Sequence, residues 1–257
     1  MNKRLIIALS LCLCLGICFP LLAAAGDQTA LNWYFKKNDS HQKPPLPTEF
    51  SFLEDCNGHF VGRGEEKVIY LTFDAGYENG NIAKILDALK AHNAPGAFFI
   101  LENLVNRNPE LIERMVNEGH LVCNHTAKHP DMSRITDKDA FCKQLSGMEK
   151  IYHEKTGLTL APYYRPPQGK FSKSNLEFAK EMGYQTIFWS FAYADWDNDR
   201  QPDPEGAVRE VLEHTHPGMV ILLHPTSTTN AAIMDRLLCE WEKMGYRFGT
   251  LDELCGK

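Results

Sequence analysis

Seven short apolar runs, rich in β-branched and aromatic residues, punctuate the chain from Lys67 onward: Val68–Phe73, Ala97–Leu101, Leu121–Cys123, Tyr163–Tyr164, Thr186–Trp189, Met219–Leu223 and Tyr246–Phe248. Between them apolar residues recur at helical spacing, as at Ile82, Ile85, Leu86 and Leu89, at Leu111, Ile112 and Met115, and at Leu145, Met148, Ile151 and Tyr152. Thr136 and Ser172 suit helix N-caps, and Gly119, Gly157, Gly183 and Gly245 follow helical segments as C-terminal stops. Strands alternating with helices in this way predict an α/β fold of parallel strands with helices outside. An open doubly wound sheet and a closed, slightly irregular barrel both accommodate seven strands. Residues 26–66 are irregular, with Pro44, Pro45 and Pro47 close together. They are expected to form an N-terminal extension packing on a domain that runs over 67–257.

The chain begins with a basic Met1–Arg4, an apolar Leu5–Leu22 and the small residues Ala23, Ala24 and Ala25. That is the layout of a secretory signal peptide over 1–25, with an uncleaved membrane anchor as the alternative. Either reading puts the bulk of the chain outside the cytoplasm, secreted or associated with the cell wall. Cleavage would remove Lys3 and Arg4 from the 27 basic residues and nothing from the 33 acidic ones, giving a mature net charge of 25 − 33, or −8. So acidic a domain lacks the basic face that nucleic acid or anionic lipid requires. No stable protein partner is inferred, and a monomer is expected. Of 8 cysteines, Cys12, Cys14 and Cys18 lie in the leader; the remaining Cys56, Cys123, Cys142, Cys239 and Cys255 are odd in number and include no CxxC. A dense disulfide framework is therefore not expected.

In parallel α/β folds chemistry collects at the C-terminal ends of the strands. Those ends carry Asp74 after the first run, His125 and His129 after the third, Arg165 after the fourth, Asp195 and Trp196 after the fifth and His224 after the sixth. A strand-end carboxylate alone is as often a helix cap, and a single histidine is more often structural. Their gathering at matching ends of five strands points to one site. The four-residue spacing of His125 and His129 lets a tight turn bring two neutral imidazoles to one point, which suits Zn²⁺ or another first-row divalent ion.

These segments read Thr72-Phe73-Asp74-Ala75, His125-Thr126-Ala127-Lys128-His129, Arg165-Pro166-Pro167-Gln168-Gly169, Asp195-Trp196 and Leu222-Leu223-His224. In this order they resemble the TFDD, H[ST]xxH, RxPxG, DxxDW and LxH motifs of the polysaccharide deacetylases, the carbohydrate esterases with a NodB-type domain. The resemblance spans about Lys67 to Leu254. It is nearest to the delta-lactam-biosynthetic de-N-acetylases of bacterial sporulation, through the loop Thr72–Gly80, the element Trp33-Tyr34-Phe35-Lys36 and the strand Phe188-Trp189-Ser190.

The resemblance implies an irregular (β/α)7 barrel and metal-assisted removal of acetyl from N-acetylmuramic acid in the peptidoglycan glycan strand. The muramic delta-lactam of spore cortex would follow. It implies His125 and His129 as metal ligands, Asp74 as general base held by Arg165, and His224 as general acid oriented by Asp195. The backbone N–H of Gln168 becomes an oxyanion donor, and Trp196 and Leu222 wall the acetyl pocket. Two departures stand out. Ala75 replaces the usual second Asp of TFDD, a metal ligand, so the ion is expected to be loosely bound; Ala192 replaces the first Asp of DxxDW. Glu78 could supply a substitute carboxylate, but as an exposed loop residue it is expected to be uninvolved. Cys123 is expected to fill the barrel interior. Deacetylation of chitin oligomers or acetylxylan, and a catalytically silent glycan-binding module, are the alternative functions.

Overall fold

Each apolar run supplies one strand. The computed structural model describes residues 26–37 and 39–257, and the expected signal peptide at 1–25 lies outside them. In chain order the strands are β1 (Leu31–Asn32), β2 (Gly58–His59), β3 (Val68–Ala75), β4 (Gly96–Ile100), β5 (Leu121–Asn124), β6 (Ala161–Tyr164), β7 (Lys170–Phe171), β8 (Gln185–Ile187), β9 (Phe191–Ala192), β10 (Met219–Leu223) and β11 (Arg247–Phe248). Between them run the helices α1 (Ile82–Ala91), α2 (Glu102–Arg107), α3 (Pro109–Asn117), α4 (Lys138–Thr156), α5 (Lys173–Glu181), α6 (Pro204–Glu213), α7 (Thr228–Lys243) and α8 (Leu251–Leu254).

The main sheet is parallel and runs in the order β2-β8-β6-β5-β4-β3-β10-β9, with β11 added beside the start of β3. Its curl is completed by one stretch of chain. The run around Thr186–Trp189 bends: β8 pairs with β6, and after three intervening residues β9 pairs with β10. Gln185–Ala192 thus serves the neighbours on both sides of the gap, which makes the (β/α)7 barrel irregular.

Alternation along β3 explains the two layers. Ile69, Leu71 and Phe73 face outward into the apolar layer shared with Ile85, Leu86 and Leu89 of α1 and Leu237, Leu238 and Trp241 of α7. Val68 and Tyr70 join Phe99, Cys123, Tyr163, Ile187 and Val220 in a second, interior cluster, to which Leu251 and Leu254 of α8 also belong. Thr72 and Asp74 continue the interior series toward the other end. The barrel interior is therefore apolar at the N-terminal ends of the strands and polar at the C-terminal ends.

Ser172 caps α5 in a reciprocal capping box with Asn175. The cap of α4 falls one residue later than expected, because the carboxylate of Asp137 rather than the hydroxyl of Thr136 accepts the N–H of Ala140. Gly119, Gly157, Gly183 and Gly245 all end helices with positive φ. Residues before β3 lie against the barrel: β1 pairs antiparallel with β7, β2 pairs with β8, and Trp33 stacks between Phe50 and Phe188 at 5.2 and 4.5 Å. Among the described residues all five cysteines are free thiols, and no helix is long and apolar enough to cross a membrane.

Candidate active site

Strand register places the polar residues. The last β10–β3 pair is Leu223↔Phe73, so one step on His224 stands beside Asp74. Asn124 pairs with Tyr164 and Tyr164 with Thr186, which puts His125 beside Arg165 and Arg165 beside Ile187. Neighbouring strands therefore deliver Asp74, His125, Arg165 and His224 to one rim.

Arg165 is fully buried and uses its whole guanidinium: Nη1 donates to Asp74 Oδ1 at 2.8 Å, Nη2 to Thr72 Oγ1 at 2.8 Å and Nε to the carbonyl of Ile187 at 2.9 Å. Its plane lies over the ring of Phe99, 4.2 Å from the centroid. So dense a set of contacts fixes the Asp74 carboxylate in place. Burial opposes ionisation of Asp74, but the neighbouring His125 and Arg165, with His224 beyond, outweigh it and hold the carboxyl below its ordinary range. Burial lowers His125 to a pKa of about 4. At neutral pH that ring is uncharged, which leaves Arg165 as the cation in contact with Asp74.

His125 Nδ1–H donates to the carbonyl of Arg165 at 2.8 Å, so in the neutral ring Nε2 carries the lone pair. That lone pair faces Asp74 Oδ2 at 3.5 Å, acceptor toward acceptor. The His129 ring lies 4.9 Å from that of His125, centroid to centroid, and burial lowers its pKa as well. The turn that brings the two together is strained: Thr126 and His129 have φ of 69° and 58°, rare for residues other than glycine and rarer still for a β-branched one. Thr126 N–H donates to Asn124 Oδ1 and its hydroxyl oxygen accepts from His129 N–H, which holds the turn. Two neutral imidazoles, one buried and one facing the cavity, beside an ionised carboxylate form a donor set that fits a divalent cation.

Asp195 is fully buried and accepts three hydrogen bonds: from His224 Nδ1 at 2.7 Å, from the backbone N–H of His224 at 2.7 Å and from Asn230 Nδ2 at 2.6 Å. Burial disfavours the charged imidazole, yet the bond to Asp195 and its charge prevail, and the His224 pKa is raised. Asn230 also donates to the carbonyl of His224 and accepts from the hydroxyl of Tyr193. Asn230 and Tyr193 were not anticipated from the sequence. Their only signal is a polar side chain on the buried face of α7 and a tyrosine two residues before Asp195.

Asp74, His129 and His224 open into a cavity of about 940 Å³. Leu222 and Ala192 line it from β10 and β9, and Trp196, 61% exposed, stands at its edge with its ring 6.3 Å from that of His224. Gln168 also lines it, with φ of 58°. The next residue, Gly169, has φ of 66°, and a Cβ there would come within 2.9 Å of Trp189 and 3.1 Å of Trp33, so only glycine fits the turn. Trp33 and Tyr34, from the segment before β3, line another part of the cavity.

Ala75 is fully buried within the outer apolar layer. The Glu78 carboxylate accepts from the N–H groups of Gly80 and Ile82 at the start of α1. Cys123 is fully buried in the interior cluster, where burial pushes its thiol well above the ordinary range.

The sequence model of the polysaccharide deacetylase family matches residues 62–187. The chain is 38% identical over 250 residues to the peptidoglycan-N-acetylmuramic acid deacetylase PdaA of Bacillus subtilis, covering 94% of this chain and 95% of that protein. It is 31% identical to a peptidoglycan-N-acetylglucosamine deacetylase of Bacillus cereus, over 80% of this chain and 75% of that one. The solved structure of Bacillus subtilis PdaA, described as a family 4 carbohydrate esterase, matches with a TM-score of 0.84 over 88% of this chain and 97% of that one.

Proposed function

The chain belongs to the polysaccharide deacetylase family, and from that membership we propose that it hydrolyses the N-acetyl group of N-acetylmuramic acid residues in peptidoglycan. The observation that carries the reading is the pair of oppositely tuned groups on adjacent strands, Asp74 held below its ordinary pKa beside Arg165 and His224 raised above its own by Asp195. Amide hydrolysis needs a base for the attacking water and an acid for the departing amine, and these two groups supply both. Asp74 takes a proton from water as its oxygen adds to the acetyl carbonyl. The backbone N–H of Gln168 donates to the oxygen on which charge develops. His224 then delivers its Nε2 proton to the sugar nitrogen as the C–N bond breaks, leaving acetate and a free amine. Leu222 and Trp196 wall the space for the acetyl methyl.

His125 and His129 would hold a divalent ion, Zn²⁺ or another first-row metal. Such an ion, when bound, polarises the acetyl carbonyl and lowers the pKa of water. On peptide-free muramic acid the freed amine can close on the lactyl carboxyl of the same sugar, giving the delta-lactam. Residues 1–25 would act as the export signal that takes the enzyme to the cell wall. A second reading, deacetylation of N-acetylglucosamine glycans, is favoured by the likeness to the Bacillus cereus protein. Acetate release from peptide-free glycan, intact peptidoglycan, chitin oligomers and acetylxylan, compared side by side, separates the two.

Three further results are expected. Activity should fall on the alkaline side as His224 loses its proton, at a pH above the ordinary histidine range because its pKa is raised. Asp195→Asn removes the charge that raises it, so the alkaline limb should move to lower pH. A limb that stays put in Asp195→Asn would assign it to another group. Chelators should stop acetate release and added Zn²⁺ should restore it, with His125→Ala lowering metal affinity in calorimetry. Ala75→Asp should tighten metal binding by adding a third protein ligand, at a cost in thermal stability, because the residue it replaces is packed in the outer apolar layer. Unchanged affinity in that variant would mean that position 75 does not reach the ion.

A further inference from the structure

Outside the catalytic cavity, one group of side chains among the described residues has the geometry of a metal site. His92 caps the C-terminus of α1, and Asp235 and Cys239, four residues apart, share one face of α7. The ligand atoms of His92, Asp235 and Cys239 all lie within 4.8 Å of one another. His92 Nε2 is 3.2 Å from Asp235 Oδ1 and 3.8 Å from Cys239 Sγ. A tetrahedral zinc ion with ordinary bond lengths separates nitrogen from oxygen by about 3.3 Å and nitrogen from sulfur by about 3.6 Å, so both distances are within a few tenths of what the ion requires.

The other ring nitrogen strengthens the case. His92 Nδ1 lies 3.0 Å from Glu242 Oε1. A carboxylate accepting the Nδ1 proton orients the ring and leaves Nε2 for a metal, the arrangement found around zinc-bound histidines. The His92 side chain is 12% exposed whereas that of Asp235 is 72% exposed, so the site has a rigid inner wall and an open path for an ion.

We propose that His92, Asp235 and Cys239 form a second metal site, a zinc clamp joining the end of α1 to α7, with solvent as the fourth ligand. Helices that follow parallel strands run back toward the strands' N-terminal ends, so the clamp lies at the end of the barrel away from Asp74 and His224. Binding sends the Cys239 thiol proton to solvent and leaves a thiolate on the metal. Sulfur makes the site selective for Zn²⁺ over Mg²⁺ and Ca²⁺. Its role is to stabilise, since an ion bound only by the folded chain raises the unfolding temperature.

Cobalt titration of the purified protein tests this, because thiolate–Co²⁺ bonds give a charge-transfer absorption that histidine and carboxylate ligands lack. The expected result is two equivalents bound, with sulfur-to-cobalt absorption that Cys239→Ser and His92→Gln each abolish together with one equivalent. His125→Ala should remove the other equivalent and leave the band, which separates this site from the catalytic one. In the zinc form, Cys239→Ser should lose the zinc-dependent rise in unfolding temperature while the loaded enzyme keeps its activity. Absence of the band at millimolar cobalt, or a band that survives Cys239→Ser, would overturn the proposal and leave His92 as an ion-pair partner of Asp235 and Glu242.

Discussion

Asp74→Asn is expected to lower kcat/KM by about 10³-fold or more, within the span attributed to a positioned general base. The amide matches the carboxylate in size and can still accept from Arg165, so the cavity keeps its shape. What disappears is the group that accepts the water proton. The fold should survive with a lower unfolding temperature, because the buried guanidinium loses its counter-charge, at a cost of up to about 3 kcal/mol. Its hydrogen bonds to Thr72 and to the carbonyls of Ile187 and Phe188 limit that cost. Steady-state kinetics on peptide-free glycan with a parallel melting curve reads both effects. Near-normal turnover in a folded Asp74→Asn protein would move the base elsewhere.

His224→Ala should lower kcat by about 10²–10⁴-fold. The reason is distinct: the sugar amine is a poor leaving group until protonated, and His224 is the donor whose pKa Asp195 raises. The change also strands Asp195, which is fully buried and keeps only the backbone N–H at position 224 and Asn230 as donors. A moderate loss of stability should therefore accompany the loss of rate, and His224→Gln serves as the control that keeps a polar group beside Asp195. If substrates carrying a better leaving group than an amine are hydrolysed by His224→Ala at closer to the wild-type rate, the role in protonation is supported. An equal loss on every substrate would make His224 a positioning residue.

The strand ends were legible in the sequence because the apolar runs mark where each strand stops, and parallel strands stop at one rim. Asp74, His125, Arg165 and His224 could be placed together from that logic alone. The bend between β8 and β9 could not, since Thr186–Trp189 reads as one apolar run and its two sets of partners are distant in sequence. Whether the sheet was open or curled was undecided by pattern for the same reason. Asn230 was hidden because a lone asparagine in α7 is indistinguishable by pattern from a surface residue until Asp195 is seen beneath it. Trp33 belongs to an element legible in the sequence, but its place on the cavity wall depends on the pairing of β1 with β7, a contact between segments far apart in the chain. The positive φ of Gln168, by contrast, is suggested locally by the Pro-Pro-Gln-Gly order, with glycine next in line.

Mass spectrometry of peptide-free glycan strands after incubation with the metal-loaded protein is the most direct test of the central claim. Loss of acetyl from the muramic residues alone, with acetate released in equal amount and none from Asp74→Asn, is the predicted result. Loss of acetyl from the glucosamine residues with the muramic residues untouched, or equal release by Asp74→Asn, would contradict it.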